Sequence, residues 1–188
     1  MTGNLKLSDE GIIEGITYIP SPNFDERPDN AAIELLVIHN ISLPPGEFGG
    51  HGVIELFTNQ LDPTEHPYFE TIKDLKVSSH FFIRRDGELI QFVPCSKRAW
   101  HAGVSKWEDR ERCNDFSIGI ELEGTDDTPF TDEQYRTLSE LTLALKQYYA
   151  IKDIKGHSDI AQGRKTDPGP YFEWPRYLAA VSGESKKA

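Results

Sequence analysis

Residues 33–39, IELLVIH, are almost continuously apolar. A strand with one wet face alternates polar and apolar positions, so a run without alternation suits a strand covered on both faces. The run gives way to SLPPGEFGG, a loop rich in proline and glycine. His39 therefore stands where a buried strand meets a loop, a common address for functional groups.

The other segments supply the layers such a strand needs. FSIGIELEG (116–124) alternates: Phe116, Ile118, Ile120 and Leu122 face one way, and Ser117, Gly119, Glu121 and Glu123 the other. VSSHFFIRRDGELIQFVP carries two β-rich runs around Asp86–Gly87, which predicts a hairpin. Helical spacing appears over 53–61, through Val53, Leu56, Phe57 and Leu61. It is strongest over 132–149, where Thr131 and Gln134 make a capping box and Tyr135, Leu138, Leu141 (or Thr142), Leu145 and Tyr148 form the apolar stripe. Residues 20–30 read as a loop, 175–181 as a last short helix and the ending ESKKA as a frayed tail. The expected architecture is α/β (α+β): one domain over 1–188 with its core at about 15–180, built on a central mixed sheet flanked by helices.

Charge and composition narrow the partners. A formal net charge of −11 repels nucleic-acid phosphates and anionic lipid surfaces, and no apolar run approaches the length of a membrane span. The N-terminus shows no secretory apolar segment, so a cytoplasmic location is expected. Cys95 and Cys113 read as reduced, inert thiols; their spacing resembles no zinc knuckle. An anionic small substrate would need a local basic patch, for which Arg110 to Arg112 and Lys165 are candidates.

Six histidines are present. His51 and His66 lie in polar stretches and read as surface residues, and His80 as a packed core residue or a wall of the site. His39 and His157 are the informative pair, because each falls where a strand yields to a Gly/Pro-rich loop and Asp167 follows ten positions after His157. A hydrolytic zinc site takes three protein ligands of the His, Asp, Glu or Cys type and keeps a fourth position for water. Spacing alone makes His39, His157 and Asp167 only a modest candidate set. Glu121 shares its strand face with the small Ser117 and Gly119, which leave room for something to lie against the sheet. A carboxylate there is placed to accept and pass on a proton. Lys165, two residues before Asp167 in an extended segment, points the same way and offers an ammonium to an oxyanion.

Taken together, LLVIHNISLPPGEFGG, HFFIRRDGELIQFVP, RAWHAGVS, RERCNDFSIGIELEGTD and GHSDIA…RKTDPGP closely resemble the type-2 N-acetylmuramoyl-L-alanine amidases, the group of bacteriophage T7 lysozyme and the peptidoglycan recognition proteins. Within that group the likeness is to cytoplasmic enzymes that act on 1,6-anhydro-muropeptides, and it runs from about Gly15 to Tyr177. The resemblance implies one zinc ion per chain, held by His39 of VIHN, His157 of GHSD and Asp167 of KTDPG. It implies that Glu121 is the catalytic proton acceptor and that Lys165 stabilises the transition state. Asn40, Trp100, His101 and Arg112 match positions lining the muropeptide site. Relatives often carry cysteine where this chain has Ser158, and some carry arginine where it has Lys76, which changes how a substrate carboxylate is gripped. The implied reaction is hydrolysis of the lactyl–L-alanine amide of an anhydro-muropeptide in cell-wall recycling, by a monomer. Action on polymeric peptidoglycan, and binding without catalysis, stand as alternatives.

Overall fold

The computed structural model describes residues 5–183; the ESKKA tail lies outside them. In chain order the elements are β1 (Thr17–Tyr18), β2 (Phe24–Asp25), β3 (Leu35–Ile41), α1 (Gly52–Phe57), α2 (Pro67–Ile72), β4 (Phe81–Ile83) and β5 (Leu89–Gln91). There follow β6 (Arg98–Ala99), β7 (Lys106–Trp107), β8 (Arg110–Glu111), a 3-10 turn (Cys113–Phe116), β9 (Ser117–Glu123), α3 (Asp132–Tyr148), β10 (Asp153–Gly156), α4 (His157–Ile160) and α5 (Trp174–Val181). Six strands form one sheet in the order β1-β5-β4-β9-β3-β10. Within this sheet, among the described residues, only the β4–β5 hairpin is antiparallel. The expected mixed sheet is therefore present, with its one antiparallel pair where Asp86–Gly87 turns the chain and Gly87 takes a φ of +86°.

The apolar run at 35–38 is buried because it lies between β9 and β10 with both faces covered. Leu36 and Ile38 join Ile118, Ile120 and Leu122 in a core closed by Leu138, Leu141 and Leu145 of α3 and Tyr177 of α5. Leu35 and Val37 face the other way, into a smaller cluster with Ala102, Cys113, Phe116 and Ile160. A third cluster packs Val53, Leu56 and Phe57 of α1 and Phe69 of α2 against Phe82 and Ile90 of the hairpin. The capping box of α3 forms as expected: Gln134 N–H donates to Thr131 Oγ1 at 3.1 Å, and Thr131 N–H to Gln134 Oε1 at 3.1 Å. Such a cap contributes about 1 kcal/mol.

Several elements depart from the sequence pattern. α1 stops at Phe57, and Asn59 beyond it takes a φ of +59°, so Leu61 does not extend the helix. Tyr148, placed on the buried stripe of α3, is 48% exposed because the stripe drifts off the sheet in the last turn. The expected loop at 20–30 contains β2, paired with β6. The segment after Gly156 is not wholly irregular: its first residues form α4, held by Gly156 N–H donating to Asp159 Oδ2 at 2.8 Å.

Candidate active site

Register brings the chemical groups together. β3 and β9 run parallel with His39 opposite Glu121, and β10 runs parallel to β3 with Gly156 opposite Ile38. His157, the next residue, thus emerges beside His39. All three lie at the carboxyl ends of adjacent parallel strands, where open α/β sheets commonly present their sites. Asp167 arrives from the loop after α4, with its carbonyl accepting from Ser158 N–H at 3.0 Å.

Three donor atoms converge. His39 Nδ1 lies 3.0 Å from His157 Nδ1 and 3.0 Å from Asp167 Oδ2, and His157 Nδ1 lies 3.3 Å from the same oxygen. Among the described residues, His39, His157 and Asp167 are the group of three whose donor atoms approach closely enough for one ion. Hydrogen bonding fixes the edge that His157 presents. His157 Nε2 donates to the Ala102 carbonyl at 2.9 Å, which leaves a bare lone pair on Nδ1. His39 Nε2 lies 2.9 Å from His101 Nδ1, and His101 Nε2 lies 3.0 Å from Ser117 Oγ. With His39 Nε2–H donating to His101 and His101 Nε2–H donating to Ser117, the His39 Nδ1 lone pair also faces the centre. Two lone pairs and a carboxylate oxygen cannot satisfy one another without a shared cation. Tetrahedral ligands about 2.0–2.2 Å from one zinc ion stand about 3.3 Å apart, close to the spacing seen. The residues fit the metal.

Electrostatics agree. Burial pushes Asp167 up, but its close approach to the His157 and His39 imidazoles outweighs it and holds the carboxyl well below its usual range. Burial lowers His39 despite the pull of Asp167. Glu121 is 8% exposed; its Oε1 lies 3.9 Å from His39 Nδ1, and its Oε2 is buried with no hydrogen-bond partner. Burial first, then the Asp167 charge, raises the Glu121 pKa well above the carboxylate norm, with Lys165 opposing. An orphaned buried oxygen is costly, and one kept despite that cost points to a functional position.

What lies against the small face of β9 is His101: a Cβ on Gly119 would overlap its ring. His101 lines the site cavity but has both ring nitrogens engaged inside the protein, so it braces His39. The cavity, of about 630 Å³, is also lined by His39, Asn40, Trp100, Glu121, Lys165 and Asp167. Asn40 uses its amide N–H groups on Asp126 and the Pro168 carbonyl, which leaves its oxygen toward other partners. Lys165 is exposed at the rim. Arg112 is not brought to this cavity; it borders a neighbouring one and pairs with Asp115 at 3.3 Å, while Arg110 pairs with Glu34. Arg164, which no sequence pattern singles out, lines both cavities and donates to the Ala102 and Val104 carbonyls. Cys95 and Cys113 are free and buried.

Behind His101, His80 is fully buried and proves to be a core residue. Its Nδ1 accepts from Gly119 N–H at 3.1 Å, its Nε2 donates to the Lys97 carbonyl at 2.9 Å, and Arg27 stands 3.3 Å away. Burial, then the Arg27 charge, pushes its pKa from 6.5 down to about 3. Between those values the unfolded chain takes up a proton that the folded one refuses. Stability is therefore complete above about pH 6.5 and falls as pH drops towards 3, by up to ~1.4 kcal/mol per pH unit. His80→Gln keeps one donor and one acceptor, and should flatten this acid limb in urea unfolding measured from pH 7 to pH 4. Equal slopes for the two proteins would show that His80 is not its source.

Comparison with known proteins places these observations in context. A family model described as N-acetylmuramoyl-L-alanine amidase matches residues 29–170. The 1,6-anhydro-N-acetylmuramyl-L-alanine amidase AmpD of Escherichia coli (strain K12) is 56% identical over 181 residues, covering 95% of this chain and 99% of AmpD. A crystal structure of a selenomethionine AmpD derivative superposes with a TM-score of 0.91 at 57% identity, covering 94% of this chain and 99% of that one. The E. coli amidase AmiD, solved in complex with its substrate anhydro-N-acetylmuramic acid-L-Ala-D-gamma-Glu-L-Lys, gives a TM-score of 0.59 at 29% identity, over 93% of this chain and 65% of that one.

Proposed function

This chain belongs to the N-acetylmuramoyl-L-alanine amidase family, and on that premise we propose that it is a zinc-dependent enzyme hydrolysing the lactyl–L-alanine amide of 1,6-anhydro-muropeptides. One observation carries the proposal: the Nδ1 atoms of His39 and His157 and Oδ2 of Asp167 converge within 3.3 Å beside a buried carboxylate whose Oε2 has no partner. A zinc ion bound by these three residues supplies Lewis acidity and a water molecule acidified to a pKa of about 7.

The chain's own groups do the rest. Glu121 takes a proton from the attacking water and returns it to the departing alanine nitrogen, a task suited to a carboxyl whose proton affinity burial raises. Lys165 sets its ammonium at the rim, where negative charge develops on the carbonyl oxygen. The Asn40 side-chain oxygen accepts from a substrate N–H. Trp100, steadied by Nε1–H donating to Asp25 Oδ1 at 3.2 Å, offers a flat wall to the sugar or the lactyl stem. Arg112, in the neighbouring cavity, is positioned for the far end of a peptide rather than the scissile bond. We assign the activity to cytoplasmic recycling of cell-wall fragments. Mass spectrometry of products tests the proposal. The zinc-loaded protein should release free stem peptide and anhydro-N-acetylmuramic acid from a soluble anhydro-muropeptide, and far less peptide from intact sacculi. Tight binding with no cleavage in the presence of zinc would overturn it.

A further inference from the structure

The two histidines of the centre are carried at the ends of paired strands, but Asp167 is not. It sits in the loop between α4 and α5, with no strand beneath it. A carboxylate on a loop must be steadied from outside if its oxygen is to meet two imidazoles within 3.3 Å. The residue placed to do so is Asp126. Its Oδ1 accepts from Asn40 Nδ2 at 2.7 Å, and its Oδ2 accepts from the Thr166 hydroxyl at 2.5 Å. Asn40 is the neighbour of His39 in sequence, and Thr166 the neighbour of Asp167. The same Asn40 amide nitrogen donates to the Pro168 carbonyl, on the other side of Asp167, at 3.0 Å.

The contacts link Asn40, Asp126, Thr166 and Pro168 into a ring that closes through the backbone of Asp167 itself. The backbone is shaped for the same approach. Gly169 takes a φ of +83°, and a Cβ there would sit 2.6 Å from Asp126 Cα, so the two loops touch only because that residue is glycine. Gly169 N–H donates to the Thr166 carbonyl at 3.0 Å and closes the turn that carries Asp167. Asp126 is not itself one of the converging donors, and both its oxygens are already engaged.

We infer that Asp126 is a positioning residue for metal binding, a bracket that locks the Asp167 carboxylate onto His39 and His157 through Thr166 and Asn40. The inference rests on the zinc site proposed above and goes beyond it. Partners that orient a metal ligand in this way typically contribute 10–100-fold in affinity. A bracket acts by hydrogen-bond geometry, whereas a merely attractive charge acts through its sign, and asparagine separates the two. In Asp126→Asn the side-chain oxygen accepts from Asn40 while the amide donates to the Thr166 oxygen, so the ring stays closed without the charge.

The test is zinc affinity, measured by competition with a chromophoric chelator, alongside thermal unfolding of the metal-free proteins. Asp126→Ala should weaken zinc binding by about 10–100-fold, Asp126→Asn should hold it near the unaltered value, and Thr166→Val should fall between. An asparagine variant as weak as the alanine one would overturn the bracket in favour of bare charge. Unchanged affinity in both Asp126→Ala and Thr166→Val would overturn it outright. Should Asp126→Ala fail to fold, the other two variants decide: weakened zinc binding in Thr166→Val with Asp126→Asn near the unaltered value supports the bracket, and unchanged affinity in Thr166→Val or a marked loss in Asp126→Asn overturns it. Absence of zinc binding by the unaltered protein would instead refute the site, a distinguishable outcome.

Discussion

Glu121→Gln is expected to lower turnover of an anhydro-muropeptide by about 10²–10⁴-fold, the usual contribution of a positioned acid–base group, while zinc content stays at that of the unaltered protein. The two side chains have nearly the same shape, so the cavity and the ligand triangle should persist. What disappears is the capacity to take up and release a proton beside the scissile bond. The structure adds a second expectation. Glu121 is 8% exposed, and its Oε2 has no partner. Glutamine removes the ionisable group but keeps a buried polar head of the same shape, so the variant should unfold at about the same temperature. Lost activity with stability kept is what a site that sacrifices stability to function predicts. Full activity in the variant would remove Glu121 from the chemistry.

Removal of the metal is expected to have the other large effect. Without a cation, two imidazole lone pairs and a carboxylate oxygen face one another at 3.0–3.3 Å. Hydrolysis should fall to background in chelator-stripped protein and return on adding zinc. Stability should respond as well, because an ion that binds only the folded state stabilises it by RT ln(1 + [L]/Kd), about 4 kcal/mol at a thousandfold excess over Kd. For a domain of this size that corresponds to a rise in Tm of roughly 10 °C.

Much of this was legible in the chain before its coordinates. Local signals carried the elements that formed as expected: the Thr131–Gln134 box starts α3, Asp86–Gly87 turns the hairpin, and the apolar run makes β3 an interior strand. The candidate ligands stood out by residue type and neighbouring loop chemistry, and family resemblance sharpened them. What stayed hidden depends on pairings far apart in sequence. The register that sets His39 beside Glu121 spans two strands that no local pattern aligns. The support of His39 by His101 and Ser117, and of Asp167 by Asp126, uses side chains whose sequence context is that of ordinary polar loop or strand residues. α2 buries a single residue, Phe69, so no apolar stripe marks it; its start is marked by His66, whose Nδ1 accepts from Tyr68 N–H at 3.0 Å, and by Pro67. Arg112 illustrates the converse, since a matching motif position gave no indication that its side chain opens onto the neighbouring cavity.

The most direct test measures zinc per chain and the rate of lactyl–L-alanine hydrolysis on the same samples as metal is withdrawn and returned. Activity should track zinc linearly and saturate at one ion per chain. A stripped preparation that cleaves anhydro-muropeptide as fast as the loaded one would contradict a catalytic centre built on His39, His157 and Asp167.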